Sequence, residues 1–146
     1  DTVSLRYFNV YSEDQEATGP YATAVANWME YIRTGRTPFI TGDGEQRRDM
    51  IHVDDVVLAN IFAMEYDGTF NGAVYDIGTG ANISLNEIKE IAQEYHDIDF
   101  DYVDPRSGDV LETLADTQKL KDIGWEHSIP IEVGITNCFK NLQKRS

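Results

Sequence analysis

The residues best suited to chemistry lie in two short stretches. The first covers residues 42–55, GDGEQRRDMIHVDD, and sets two glycines, two adjacent arginines and five acids around the apolar pair Met50 and Ile51. The second covers residues 105–109, PRSGD, where Pro105 and Gly108 stiffen the backbone around Arg106. A guanidinium donates two parallel hydrogen bonds from a planar fork, which suits a phosphate. Arg48 enters a strand after the glycine turn at 42–44, and Arg106 sits on a separate loop, so the two could hold a diphosphate between them. Surface ion pairs are the alternative for both, because acids abound in this chain. Asp54 and Asp55 could form an acid–base pair. Their place at the start of a helical run favours a plainer role, as carboxylates meeting free N–H groups.

Other chemistries find less support. His52, His96 and His127 are far apart, and none has a Cys or His at ligand spacing. The acids do not follow the oxygen pattern of a calcium loop, so no metal site is expected. There is no G-x-S-x-G, and Cys138 has no neighbouring His. Cys138 falls in a helical pattern and reads as packing. The turn IGTGANIS invites a phosphate cradle. The residue three after Gly80 is Ile83, however, and no Walker lysine follows, so a tight strand–helix turn is the simpler meaning.

The elements that must position these groups alternate. Residues 3–8, VSLRYF, read as a buried strand and 11–20 as a loop. Apolar residues at 21, 25, 28, 29 and 32 mark one face of a helix that stops at Gly35. TPFITGDG is a short strand into a turn, RDMIHV another strand, and DDVVLANIFAMEY a helix. GAVYDIGTG is a strand ending in the glycine turn. Ser84 and Glu87 form a capping box for the next helix. DIDFDYVD alternates as an edge strand, and PRSGDVLETLAD is mostly irregular. TQKLKDIGW is a short helix capped by Asp116, and residues 129–144 form the last helix. Strands alternating with helices give the α/β class.

Composition narrows the partners. The 146 residues are 41% hydrophobic and carry a net charge of −14. That size allows one domain with a core. The acidity disfavours nucleic acid and anionic membrane surfaces, so any bound anion must meet a few local arginines. No apolar run is long enough to span a bilayer, and the first residues lack a signal-peptide pattern. One cysteine excludes an internal disulfide and suits a reducing compartment, which makes the cytoplasm the expected location.

Eight segments then occur in order with natural spacing: LRYFNVY, GPYA, GDGEQRRDMIHVDDV, VYDIGTG, SLNE, RSGDV, LADTQKLKDIGW and the closing helix. Together they resemble the C-terminal part of the NAD-dependent nucleotide-sugar epimerase/dehydratase family, the extended short-chain dehydrogenases. The resemblance covers essentially residues 1–146. It implies a C-terminal substrate-binding lobe carrying the last strands of a Rossmann-type sheet. It also implies roles. Asn9 would donate to the diphosphate of a UDP-sugar, and Tyr7 and Phe8 would lie against the nicotinamide of NAD. Ala24 would line the uracil pocket and Phe39 would pack on the base. Arg48 and Arg106 would bind phosphate, and Asp109 would accept the ribose hydroxyls. Arg47 would be solvated. Thr113, small where a large aromatic suits unsubstituted hexoses, points to UDP-N-acetylhexosamine or UDP-uronate, and RSGDVLETLAD resembles the 4-epimerases more than the dehydratases.

The resemblance also implies what lies elsewhere. The family's G-x-x-G-x-x-G turn for NAD has no counterpart here. None of the eight tyrosines has Lys four residues on, so the catalytic Tyr and Lys are not in this chain. The family's N-terminal NAD-binding half, with its usual homodimer helices, is expected to be absent, and the isolated chain is expected to be catalytically incomplete. A dehydratase or decarboxylase of the same family, or a stand-alone nucleotide-binding module, are the alternatives. One departure stands out. Ser12, Glu13 and Asp14 replace the family's Gly-Pro-Arg, removing a glycine and reversing a charge near the diphosphate entrance, with weaker binding or a displaced loop expected.

Overall fold

A computed structural model describes residues 1–142. The elements alternate as the α/β reading requires. They run β1 (Val3–Tyr7), β2 (Val10–Tyr11), α1 (Ala24–Arg33), β3 (Phe39–Thr41), β4 (Arg47–Arg48), β5 (Ile51–His52), α2 (Val53–Glu65), β6 (Ala73–Ile77), β7 (Ile83–Ser84), α3 (Leu85–Tyr95), β8 (Asp101–Val103), α4 (Gln118–Lys121) and α5 (Ile131–Lys140). Residues 143 and 144, the end of the expected last helix, lie outside the described residues.

The strands form four pairs. β1–β6, β2–β5 and β3–β8 are parallel, and β4–β7 is antiparallel. Parallel pairs need long crossovers, and α2 lies within the one between β1 and β6. RDMIHV therefore does not form one strand. Asp49 and Met50 separate β4 from β5, and each half pairs with a different partner. β1 is only half-buried, against the expected burial, because Ser4, Arg6 and Tyr7 face outward. The expected edge strand shrinks to three exposed residues of β8.

Two apolar clusters hold the chain together. In the first, Val25, Trp28, Met29 and Ile32 of α1 meet Ile88 and Ala92 of α3 and Ile131, Ile135, Cys138 and Phe139 of α5. Each Val, Ile, Met or Phe among them, fully buried, contributes roughly 1.5–3 kcal/mol. Tyr21, which shares their spacing, is 90% exposed and precedes the helix. The second cluster packs Ile51, Val56, Ala59, Phe70, Tyr75, Ile77 and Leu120 beneath β1 and β6. Cys138 is packing, as expected, and burial pushes its thiol up to about 12. The outer face of α2 is different. Val53, Val57, Ile61 and Met64, spaced along one stripe of the helix, are exposed together with Leu58. A helix apolar on all sides ordinarily packs on both faces.

Local chemistry fixes the helix starts. Thr23 caps α1, its hydroxyl accepting from the Ala26 N–H, and Ser84 and Glu87 complete the capping box of α3. At α2 the cap is His52, whose Nδ1 accepts from the Asp54 N–H. Asp54 and Asp55 do open that helix, but the buried Asp55 carboxylate turns away to accept from Ser128 N, Ser128 Oγ and Ile129 N. It thereby ties the approach to α5 onto α2. At α4 the cap position is Thr117, not Asp116, although Asp116 Oδ1 accepts from the Gln118 N–H.

Candidate functional site

A groove runs beside the N-terminus of α1 in three connected parts. The middle cleft, about 210 Å³, gathers Asn9, Ala24, Arg48 and Asp109. It continues through Ala22 and Ala24 into a cleft of about 330 Å³ bordered by Phe39 and Arg106. In the other direction it passes Asn9, Ala22 and Thr23 into a cleft of about 560 Å³ bordered by Tyr7, Gln15 and Tyr21. Six of the expected substrate-site residues thus line one groove. Phe8 instead hydrogen-bonds its backbone N–H to the Ile77 carbonyl at the end of β1. Thr113 does not border the clefts.

Arg48 is positioned by β4 and by its own contacts. Nη1 donates to the Arg47 carbonyl at 2.9 Å and Nη2 to Asp109 Oδ1 at 2.8 Å. Asp109 closes a turn by donating its N–H to the Arg106 carbonyl, with Gly108 in the left-handed region at φ +81°. That turn carries Arg106, which borders the adjoining cleft. Among the described residues, the Arg106 side chain makes no hydrogen bond or ion pair.

Asn9 and Thr113 differ from expectation. The Asn9 amide donates to the Asp49 carbonyl at 2.7 Å and to Thr113 Oγ1 at 3.2 Å. Both of its N–H groups are therefore engaged within the protein, and its Oδ1 is the part left for the groove. The Thr113 hydroxyl also accepts from the Asp49 N–H. Residues 111–113 are not loose either. Backbone hydrogen bonds join them to residues 47–49 in a parallel bridge, Arg47↔Glu112.

Asp49 organises this region, and sequence reading missed it. Its carboxylate is fully buried and accepts from Thr79 N, Thr79 Oγ1, Gly80 N and Ala115 N at 2.8–3.0 Å. Four neutral donors make a buried carboxylate tolerable without a cation. The same contacts decide the glycine turn, because the N–H groups of Thr79 and Gly80 point at Asp49 and are not available as a phosphate cradle. A charged residue directly before buried Met50 and Ile51 was the signal available in the sequence.

Arg47 is also corrected. It is not simply solvated. Nε donates to Asn82 Oδ1, Nη2 to the Asn82 carbonyl, and Nη2 pairs with Glu87 at 2.9 Å. It fastens β4 to the capping box of α3. The Ser84 N–H, with Arg47, holds the Glu87 carboxyl below its usual range.

The departing loop is anchored by its own contacts. Among the described residues only Asn71 is a non-glycine with positive φ, so Ser12 adopts an unstrained backbone. Glu13 Oε2 lies 2.9 Å from Nε2 of buried His52. Because His52 Nδ1 accepts from Asp54, Nε2 carries the proton and donates to Glu13. Burial alone would raise the Glu13 carboxyl, but the His52 hydrogen bond and a backbone N–H outweigh it and hold it below the usual range. Beyond it, Gln15 Nε2 donates to the Val10 carbonyl and Gln15 Oε1 accepts from the Thr23 hydroxyl that caps α1. The loop thus reaches the groove wall through its own hydrogen bonds.

Among the described residues, no group of three His, Cys, Asp or Glu is placed to hold a metal, and no helix is long and apolar enough to cross a membrane.

Parallel strand pairs with crossover helices and this groove define an α/β lobe matching the C-terminal part of the extended short-chain dehydrogenases. Residues 1–78 match the NAD dependent epimerase/dehydratase family, and the chain belongs to it. The chain is 35% identical over 144 residues to a putative UDP-glucose 4-epimerase of Methanocaldococcus jannaschii, covering 94% of this chain and 45% of that protein. It superposes with a TM-score of 0.83 at 35% identity on the UDP-N-acetylglucosamine 4-epimerase of Methanobrevibacter ruminantium M1, solved with UDP-N-acetylmuramic acid. That match covers 94% of this chain and 44% of the other. It also superposes, at 0.80 and 28% identity, on the NAD dependent NDP-hexosamine 5,6-dehydratase TunA, covering 97% and 45%. The chain therefore spans less than half the length of these relatives.

Proposed function

We propose that residues 1–146 are the substrate-binding part of an NAD-dependent nucleotide-sugar 4-epimerase acting on a UDP-N-acetylhexosamine or UDP-uronate. One observation carries the reading: Arg48, Arg106, Asp109, Phe39 and Ala24, from four distant parts of the chain, converge on one groove. Two guanidiniums beside an aromatic slot suit a nucleoside diphosphate. The 4-epimerases among the relatives favour that reaction.

The residues divide the ligand between them. Arg48 and Arg106 meet the diphosphate. Asp109 Oδ1 is held by Arg48, which leaves Oδ2 to accept a ribose hydroxyl. Phe39 and Ala24 take the uracil end. Asn9 offers Oδ1 towards the groove, and Thr113 holds the Asn9 amide from outside the clefts; the substituted sugar is read from the small size of Thr113 at that position of the family. Tyr7 ends β1 and Phe8 follows it, and in open α/β sheets ligands sit at the carboxyl ends of strands. They would border NAD there, its greater part held outside this chain. When bound, NAD supplies the transient oxidation at C4 of the sugar.

The proposed enzyme is a cytoplasmic homodimer whose catalytic Tyr and Lys lie outside these 146 residues. The exposed apolar stripe of α2 favours a larger protein over a stand-alone module, because such a stripe calls for cover. TunA's resemblance keeps a dehydratase as the second reading. The full-length protein, incubated with NAD and UDP-N-acetylglucosamine or UDP-glucuronate, should yield the C4 epimer by NMR. Accumulation of an unsaturated or keto sugar would favour the dehydratase, and no turnover of either substrate would reject the proposal.

A further inference from the structure

One helical face builds a wall of the cleft that holds Phe39 and Arg106. Ala24, Asn27, Trp28 and Tyr31 share that face at spacings of three and four residues, and Phe39 and Thr41 oppose them from β3. Trp28 is turned into the core and its indole N–H donates to the Phe39 carbonyl. Tyr31 lies tilted 6.0 Å from the Phe39 ring, with the Arg36 guanidinium over its outer face at 4.3 Å. The slot therefore has aromatic walls fixed from behind, a cation at one end and few polar groups that could read a base edge.

Those groups are not equivalent. The hydroxyls of Tyr31 and Thr41 can donate or accept, so they do not discriminate. Arg106 only donates. Asn27 would ordinarily present either end of its amide. Here its Nδ2 donates to the Thr23 carbonyl one turn back, at 3.1 Å. That contact fixes the amide orientation. Among the described residues nothing donates to Asn27 Oδ1, so the amide carries an open acceptor of fixed orientation, beside the one Nδ2 N–H that Thr23 leaves free.

We propose that Asn27 is a specificity-determining residue whose Oδ1 selects a base with a ring N–H on its pairing edge, as in uracil, against one with a bare ring nitrogen, as in cytosine. The inference rests on the cleft being the nucleotide site. A ring N–H completes the acceptor, whereas a bare ring nitrogen sets two lone pairs against each other. A site built on such a hydrogen bond rejects the ligand that cannot form it. The cleft is open, so the expected preference is moderate, about tenfold.

The test is calorimetric titration of the full-length protein with UDP and with CDP. UDP should bind about tenfold more tightly, and Asn27→Ala, on a helix that alanine favours, should bring the two within about twofold. Asn27→Asp, which keeps an acceptor, should retain the preference and provides the check if the alanine variant melts early. Equal affinities in the unaltered protein, or a preference that survives Asn27→Ala, would overturn the inference while leaving the nucleotide site standing. Binding of neither nucleotide would overturn the proposed function itself, and this inference with it.

Discussion

Arg48 and Asp109 stand 61 positions apart and meet through a 2.8 Å contact between a guanidinium Nη2 and a carboxylate Oδ1. Half-exposed pairs of this kind add little to stability, so their meeting is better understood through the groove that both line. The contact leaves one carboxylate oxygen and part of the guanidinium fork for a ligand. It also holds the 106–109 turn, and with it Arg106, against β4.

That division of labour separates two ligands. Asp109→Ala should weaken UDP about tenfold by removing the ribose acceptor. Inorganic pyrophosphate, which has no ribose, should bind at least as tightly, because an acid beside the arginines is gone. Titration with both ligands checks this, and parallel weakening of both would count against a ribose contact.

Asp49 should matter chiefly for stability. Asp49→Ala strands the N–H groups of Thr79, Gly80 and Ala115, leaving the Thr79 hydroxyl only the Ala81 carbonyl, and the expected loss is about 3 kcal/mol or more. Denaturant unfolding followed by circular dichroism measures it. A loss under about 1 kcal/mol would mean that water or a rearranged turn replaces the carboxylate.

The Glu13–His52 contact gives the 12–16 loop a dependence on pH. The Glu13 carboxyl lies below its usual 4.5 in the folded chain. Its contribution is therefore complete above that value and is lost as pH falls through the lowered one. Thermal melts of the protein and of Glu13→Gln should differ at neutral pH and converge in acid. A difference that stays constant with pH would show that the charge on Glu13 does not contribute.

Cys138, buried and with its thiol pushed up to about 12, should resist thiol reagents in the native protein and react once unfolded. Labelling with a disulfide reagent, with and without denaturant, reads this directly. Rapid labelling of the native chain would mean that α5 opens readily.

Much of this was legible from local patterns. The capping box at Ser84 and Glu87, the apolar face of α1 and the packing of Cys138 follow from spacing over a turn or two. The groove residues came from motifs in their order along the chain. What escaped was set by contacts between distant segments. Asp49 belongs to a four-donor site assembled from residues 79, 80 and 115. Arg47 was expected in solvent because its partners, Asn82 and Glu87, lie more than thirty residues away. Asn9 was expected to donate to a ligand, but its donors are claimed by the Asp49 carbonyl and Thr113. The 12–16 loop was read only for its lost glycine and reversed charge, and the contact of Glu13 with His52, 39 positions on, is one that no local rule could reveal.

The most direct measurement is the affinity of the full-length protein for UDP, compared with its Arg48→Ala and Arg106→Ala variants. A charged hydrogen bond to phosphate contributes roughly 1.5–3 kcal/mol. Each variant should therefore bind about 10–100-fold more weakly while melting close to the unaltered protein. Unchanged affinity in both variants would contradict the assignment of this groove as the nucleotide-sugar site.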